Sequence, residues 1–404
     1  MNLDALRSQL ASKQKLALLV GAAALVLSGI GAMTDATHFF RGYLLGYMFW
    51  MNLTLGCLGF VMMHNLTGGD WGHATRRALE AGMRTLPLML LLFLPILFAA
   101  FNLDHVEGHH GLYEWANPEY VKGDKILTQK ATYLNGTAFG IRAAILFAFW
   151  FTWSYVLSKG SREFEKTPNL RIVERMENWS GPGAVLFFLA TTCASFDWVM
   201  SLEPHWYSTI YGVLFLVGQG LATLAFMIVF TAWTTRYEPF SQSVTEKHFH
   251  DLGKLMHGFV VLWAYGSFSQ FLIIWSANLP EEIPWYLHRT GQGWLLLALL
   301  LMGFHFFVPF FVLLSRHVKR HKNKLIWVAG WMLIARYADL YWQIVPSFKE
   351  ESHFHWLYLV PLIGIGGVWL FVFLWQLQER SLLPLPDNSY ESAEAVTMKQ
   401  VQGA

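Results

Sequence analysis

Cys193-Ala-Ser-Phe-Asp-Trp-Val-Met-Ser-Leu-Glu-Pro-His-Trp206 closes an apolar run that begins near Gly181 and carries an acid, Asp197, still inside that run. A second apolar run opens at Trp206 with almost no loop between. If both runs cross a membrane, Asp197 lies about four to six residues, roughly 6–9 Å of helical rise, from water. A carboxylate there costs on the order of 2.5–3.5 kcal/mol on insertion scales. Such a residue faces a bundle interior or a wet cavity and marks an ion or proton path, unless it caps nearby backbone or pairs with an arginine. Cys193, Asp197 and Ser201 recur every four residues. That stripe of small and polar side chains permits close helix approach and is expected to point Asp197 inward.

Composition supports the membrane premise. Hydrophobic residues make up 54% of the 404 and charged residues only 14%, against about 25% charge in a soluble chain. Nineteen tryptophans and fifteen tyrosines suit interfacial belts. A net charge of +2 without a basic tract argues against a nucleic-acid partner. The two cysteines, Cys57 and Cys193, lie on different apolar segments. The chain therefore has no spacing for an iron–sulfur cluster or a c-type haem of its own.

Runs long enough to span, about 17–25 residues, occur near 16–33, 40–64, 78–101, 137–158, 181–202, 207–233, 253–277, 292–315, 324–346 and 355–377. The expectation is an all-α integral membrane protein of ten transmembrane helices. The first run is longer than a signal-peptide core and lacks a clear cleavage site, so it reads as a retained anchor. Of the 29 Lys and Arg residues, 21 belong to loops and run ends on the side of the N-terminus and six to those on the other, leaving Arg142 and Arg336 within runs. The positive-inside rule then puts both termini in the cytoplasm. The long outer loop, 102–136, holds His105, His109 and His110 and reads as a solvated docking loop rather than a metal site. The stretch from Leu382 to Ala404 reads as a flexible tail.

The ninth run holds Arg336, Asp339 and Gln343 at spacings of three and four, hence on one helix face. Opposite charges near mid-membrane offset each other's desolvation only when paired and further hydrogen-bonded. A structural ion pair and a proton relay both fit. His305 lies mid-run on the eighth span and His257 about one turn into the seventh. A bis-His haem b would need two histidines at one depth, and these are offset by a turn or more. Together with Tyr265, Ser267, Ser269 and Gln270, they suit a hydrogen-bonded chain at staggered depths. The outer turn Ala277–Arg289, with Pro280 and Pro284 flanking Glu281 and Glu282, reads as a docking surface or cavity lid. Nothing in it has nucleophile or metal-ligand spacing.

Three stretches carry a resemblance: Ser195-Phe-Asp-Trp-Val-Met-Ser-Leu-Glu-Pro-His-Trp206, Phe268-Ser-Gln-Phe-Leu-Ile-Ile-Trp-Ser-Ala-Asn-Leu-Pro-Glu-Glu282 and Gly303-Phe-His-Phe-Phe-Val-Pro-Phe-Phe311. Together they resemble the NrfD/PsrC-like membrane subunits of alternative complex III, a bacterial quinol:cytochrome c oxidoreductase. The resemblance runs from the second span to the tenth. It implies two four-helix bundles, spans 2–5 and 6–9, flanked by spans 1 and 10. The corresponding segments are 1–36, 37–204, 205–350 and 351–404. The larger, quinol-oxidising subunit of that complex pairs an intramembrane histidine with an outer-side acid. Here Asp197 matches the acid, spans 3 and 4 have no histidine, and His64 sits at the opposite end of span 2. The resemblance therefore favours the smaller, ActF-type subunit.

The resemblance further implies a scaffold in the bacterial cytoplasmic membrane, with candidate proton-path residues Asp197, His257, His305, Arg336, Asp339 and Gln343. It implies quinone or quinol as the complex's small molecule, and haem and iron–sulfur clusters carried by partner subunits. Those partners would be a second NrfD-like subunit, an iron–sulfur subunit and multihaem cytochrome c subunits. A quinol-binding catalytic subunit, a secondary transporter and a haem b protein are the alternatives. A transporter is expected to show helices broken by paired Gly or Pro in both halves, and Pro309 has no counterpart in span 4.

Overall fold

A computed structural model describes residues 3–101, 111–238, 240–291, 293–348, 354–380 and 382. Their regular structure is helical throughout. The long helices are α1 Leu3–Thr34, α2 Ala36–Thr67, α3 Asp70–Met83 and α4 Leu86–Ala100. They continue as α5 Gly136–Lys166, α6 Leu170–Trp198, α7 Tyr211–Thr234 and α8 Glu246–Ala277. The last three are α9 Trp294–Leu314, α10 Lys322–Ile344 and α11 Val360–Gln378.

Among the described residues, eight helices are long and apolar enough to cross a membrane: α1, α2, α5 to α9, and the segment Trp356–Gln378 that contains α11. The chain is a multi-pass membrane protein. The run expected over 78–101 is not one straight helix. It is the end of α3 plus α4, bent by 43° and making a ninth span if counted as one. Pro87 lies in the first turn of α4, where its missing N–H is no loss, and its ring would clash with the Met83 carbonyl if α3 ran straight on. The Thr85 hydroxyl donates to the Gly82 carbonyl at 2.7 Å, satisfying one of α3's last acceptors. α10 has 23 residues but carries Arg336, Asp339 and Gln343, all buried, which lower its hydropathy.

In α9 the stretch Met302–Phe307 is a π-helical turn. The Val308 N–H reaches back five residues to the Gly303 carbonyl. The next residue, Pro309, has no N–H to give, so widening the turn here absorbs its clash with the preceding turn.

α2 is the hub. It packs on α1, α3, α6, α7 and α11, and 89% of its most apolar stretch is buried, against 17% for α1 and α9. The last two therefore turn apolar faces such as Leu19, Val26, Leu296 and Phe311 outward, as lipid-facing helices do. Close approach depends on glycine at the tightest crossings. A methyl group on Gly56 would overlap Thr223 and the Gln219 carbonyl of α7. Gly21 of α1 and Gly367 of α11 meet backbone to backbone.

The described part of the 102–136 loop, from Gly111 on, carries short helices. Asn117 and Asp124 cap the short helices Pro118–Gly123 and Lys125–Lys130. Asp124 Oδ2 lies 2.6 Å from His205 Nε2, and Lys130 Nζ donates to the Pro204 carbonyl at 2.6 Å. The loop thus clamps the Glu203–His205 turn. His105, His109 and His110, and the tail beyond Leu382, lie outside the described residues.

Candidate functional site

Asp197 is buried near the C-terminal end of α6. It pairs with an arginine: Arg142 Nε of α5 donates to Asp197 Oδ2 at 2.7 Å. The Arg142 guanidinium lies 3.8 Å over the Tyr133 ring and donates to the Tyr133 carbonyl at 2.8 Å. Burial, and the Asp197 carboxylate beside it, push the Tyr133 phenol above its ordinary range. The Ser201 hydroxyl donates to the Asp197 carbonyl at 2.5 Å. The expected inward stripe fails at Cys193, which is exposed. The buried face of α6 passes through Ala190, Thr191 and Ala194 to Asp197 and Trp198.

With its partner, Asp197 joins α5 to α6 and no histidine of spans 3 or 4 stands near it. Replacing Asp197 by Asn is expected to leave Arg142 without a counter-charge. The loss should be about 1.5–3 kcal/mol, the worth of a hydrogen bond to a charged group, with most of it returned by Arg142→Leu/Asp197→Leu. Thermal melts in detergent of the single and double variants check this.

The other candidates gather between α7, α8, α9 and α10. Asp339 Oδ2 pairs with Arg336 Nη1, accepts from Gln343 Nε2 at 2.8 Å and accepts from the Trp263 indole Nε1 at 3.2 Å. Arg336 lies flat against Gly218, where any side chain would overlap the guanidinium. The His305 ring packs on Trp263 with centroids 4.0 Å apart, fully buried, and neither of its nitrogens has a hydrogen-bond partner among the described residues. His257 is not part of this group. Its ring lies against Phe310 at 5.2 Å, and it is only partly buried.

A second buried cluster, unrecognised in the sequence, continues from Gln343 toward the helix ends. Arg289, fully buried, donates from Nη2 to the Gln343 carbonyl at 2.7 Å and to Ser347 Oγ at 3.0 Å. Its Nη1 donates to Glu203 Oε1 at 2.7 Å and to the Trp285 carbonyl at 3.0 Å. The Ser347 hydroxyl also donates to Glu203 Oε1, at 2.9 Å. His288 Nδ1 stands 3.4 Å from Glu203 Oε2 and is partly exposed. Burial pushes the Glu203 carboxyl up, but Arg289, His288 and Ser347 together outweigh it and hold the group at about 2.

The two clusters form one polar chain: His305 and Trp263, then Arg336–Asp339–Gln343, then Arg289, Glu203 and His288. It runs from the middle of α9 to the turn after α6. Asp339 lies five residues before the end of α10, roughly 7–8 Å of helical rise, and Arg336 one turn nearer the middle of the helix. Chemically, Arg336 and Arg289 stay charged and Trp263 only donates. Only His305, Asp339, Glu203 and His288 can take up or release a proton. Sequence signals for the second cluster existed: Arg289 is the one Lys or Arg between the apolar runs 253–277 and 292–315.

At the opposite end, Glu80 is buried among Arg76, Arg77 and Arg380, with Arg76 Nε and Arg380 Nη1 each 2.6 Å from its oxygens. This knot ties α3 to the residues just after α11. Comparison with known protein families and with curated proteins finds no match to this chain.

Proposed function

We propose that this chain is an integral membrane subunit of a bacterial respiratory quinol:electron-acceptor oxidoreductase of the alternative complex III type. It would scaffold the complex and conduct protons between the outer side and the His305 region. The observation that carries this reading is the chain of titratable groups from the partly exposed His288 through Glu203 to the buried Asp339 and His305. Polar and charged groups inside a membrane are costly and serve ion or proton paths. At rest the path is closed, because Asp339 is engaged by Arg336, Gln343 and Trp263. Conduction requires that pair to open and let Asp339 take a proton.

In this reading α10 is also a span and α3–α4 a bent one, making ten. Two groups of four are supported by the packing of α2 on α4 and α6, and of α5 on α4 and α6. In the second group α7 packs on α8 and α10, and α9 on α8 and α10. The charge asymmetry supports a cytoplasmic side for both termini. The engagement of Asp197 by Arg142 favours the smaller, ActF-type subunit over the quinol-oxidising one. Haem and iron–sulfur clusters would then reside in partner subunits.

Two experiments test it. Purification in mild detergent is expected to bring down an iron–sulfur subunit and a multihaem cytochrome; a chain isolated free of redox partners overturns the assignment. For orientation, single cysteines at Lys122 or at Arg171 are introduced after Cys57 and Cys193 are replaced by alanine. Impermeant maleimide added outside should label position 122 and not 171, and the reverse pattern inverts the topology.

A further inference from the structure

We propose that Asp35, His38 and His355 form a site for a divalent transition metal of the zinc type, at the end of the molecule where α1 meets α2. Each residue offers one ligand atom, and the three atoms lie within 4.8 Å of one another. His38 Nδ1 stands 2.6 Å from Asp35 Oδ2, and the His38 and His355 rings face each other with centroids 4.2 Å apart.

The backbone holds all three in place. Asp35 is the single residue between α1 and α2 and caps α2, accepting from the His38 N–H at 3.0 Å. His355 caps the short turn Trp356–Tyr358 that leads into α11, its Nδ1 accepting from the Leu357 N–H at 3.3 Å. The donors thus come from two distant parts of the chain, 317 positions apart between His38 and His355, which is why no local spacing shows the site.

The donor set selects the metal. Two imidazoles and one carboxylate are a three-ligand zinc set with a fourth position for water, and imidazole favours zinc, nickel, copper or cobalt over magnesium or calcium. Tetrahedral ligands around zinc stand about 3.3–3.6 Å apart, so small side-chain rotations would close the present spacing. Asp35 and His38 side chains are partly exposed, 35% and 29%, so an ion can enter without unfolding. Bound there, it would pin the α1–α2 joint to the start of α11. This inference does not depend on the function proposed above.

The full-length protein without a polyhistidine tag, in detergent and stripped with EDTA, is titrated with Zn2+ against a chromophoric chelator. His105, His109 and His110 are replaced by Asn in every sample, so that tract cannot report. One Zn2+ per chain is expected, with a rise in melting temperature and no response to Mg2+ or Ca2+. His38→Gln and His355→Gln should each weaken binding by more than roughly tenfold, well beyond the loss from an outer-shell change at its smallest, while melting as the parent does in EDTA. Co2+ should give the visible absorption of a tetrahedral complex in the parent alone. Absence of stoichiometric Zn2+ binding, or binding unchanged in both variants, overturns the site. Should one variant fail to fold, the other and Asp35→Asn decide between these outcomes.

Discussion

Asp339→Leu is expected to destabilise the protein by about 3–5 kcal/mol, the usual cost of removing one partner of a buried ion pair. Arg336 is then left charged, buried and pressed against Gly218, with no room to retreat on that side. The Trp263 and Gln343 donors lose their acceptor as well. Arg336→Leu/Asp339→Leu removes both charges together and should cost far less, since replacing a whole buried pair by apolar residues is often close to neutral. Melting of the two single variants and the double in detergent gives the cycle. Activity then separates structure from relay. A pair that only locks α10 against α7 predicts a double variant that assembles and turns over normally. If the chain serves the oxidoreductase proposed above, a relay predicts that it assembles while the complex's quinol:acceptor turnover stays depressed, because no titrating group remains beside His305. Full turnover in a stable double variant would remove Asp339 from the proton path.

Glu203→Gln should cost a similar amount near neutral pH, about 3–5 kcal/mol, because Arg289 is fully buried and loses its carboxylate. The pH dependence has a definite sign. The Glu203 carboxyl is held at about 2 against an ordinary 4.5, so its ionised form favours the folded state. That contribution, roughly 3 kcal/mol at 1.36 kcal/mol per pKa unit, is fully present above about pH 4.5 and is lost as pH falls toward 2. The gap between wild type and Glu203→Gln should therefore be widest at pH 6–7, narrow below about pH 4 and close only as pH falls to about 2. Melting curves across that range check it. A gap that persists unchanged in acid would mean that the carboxylate charge is not what Arg289 needs.

Local pattern was enough for much of this protein. Apolar run length set the position of most long helices, and composition set the membrane class. The spacing of Arg336, Asp339 and Gln343 put them on one face of α10, because helical periodicity is a property of a single segment. Even the interruptions had local causes: Pro87 at the α3–α4 bend and Pro309 after the π turn both act within a turn of their own position. The prolines are visible in the sequence, whereas apolar run length alone does not separate α3 from α4.

Partnership across helices was not available in that way. Asp197 and Arg142 are 55 residues apart, Glu203 and Arg289 86, and Asp339 and Trp263 76. Which side chains meet depends on how each helix is rotated and how far it slides against its neighbour. Many residues along both helices fix that packing, and small residues such as Gly218 and Gly56 set the closest distances. The pattern along one segment contains neither quantity. So His257, polar and membrane-embedded like His305, falls against Phe310 outside the cluster. Arg289, read as an ordinary loop charge, instead becomes the buried link between Gln343 and Glu203. A buried arginine needs its hydrogen-bonding groups satisfied from several directions at once, and only the assembled turn, α10 end and loop bring those acceptors to one place.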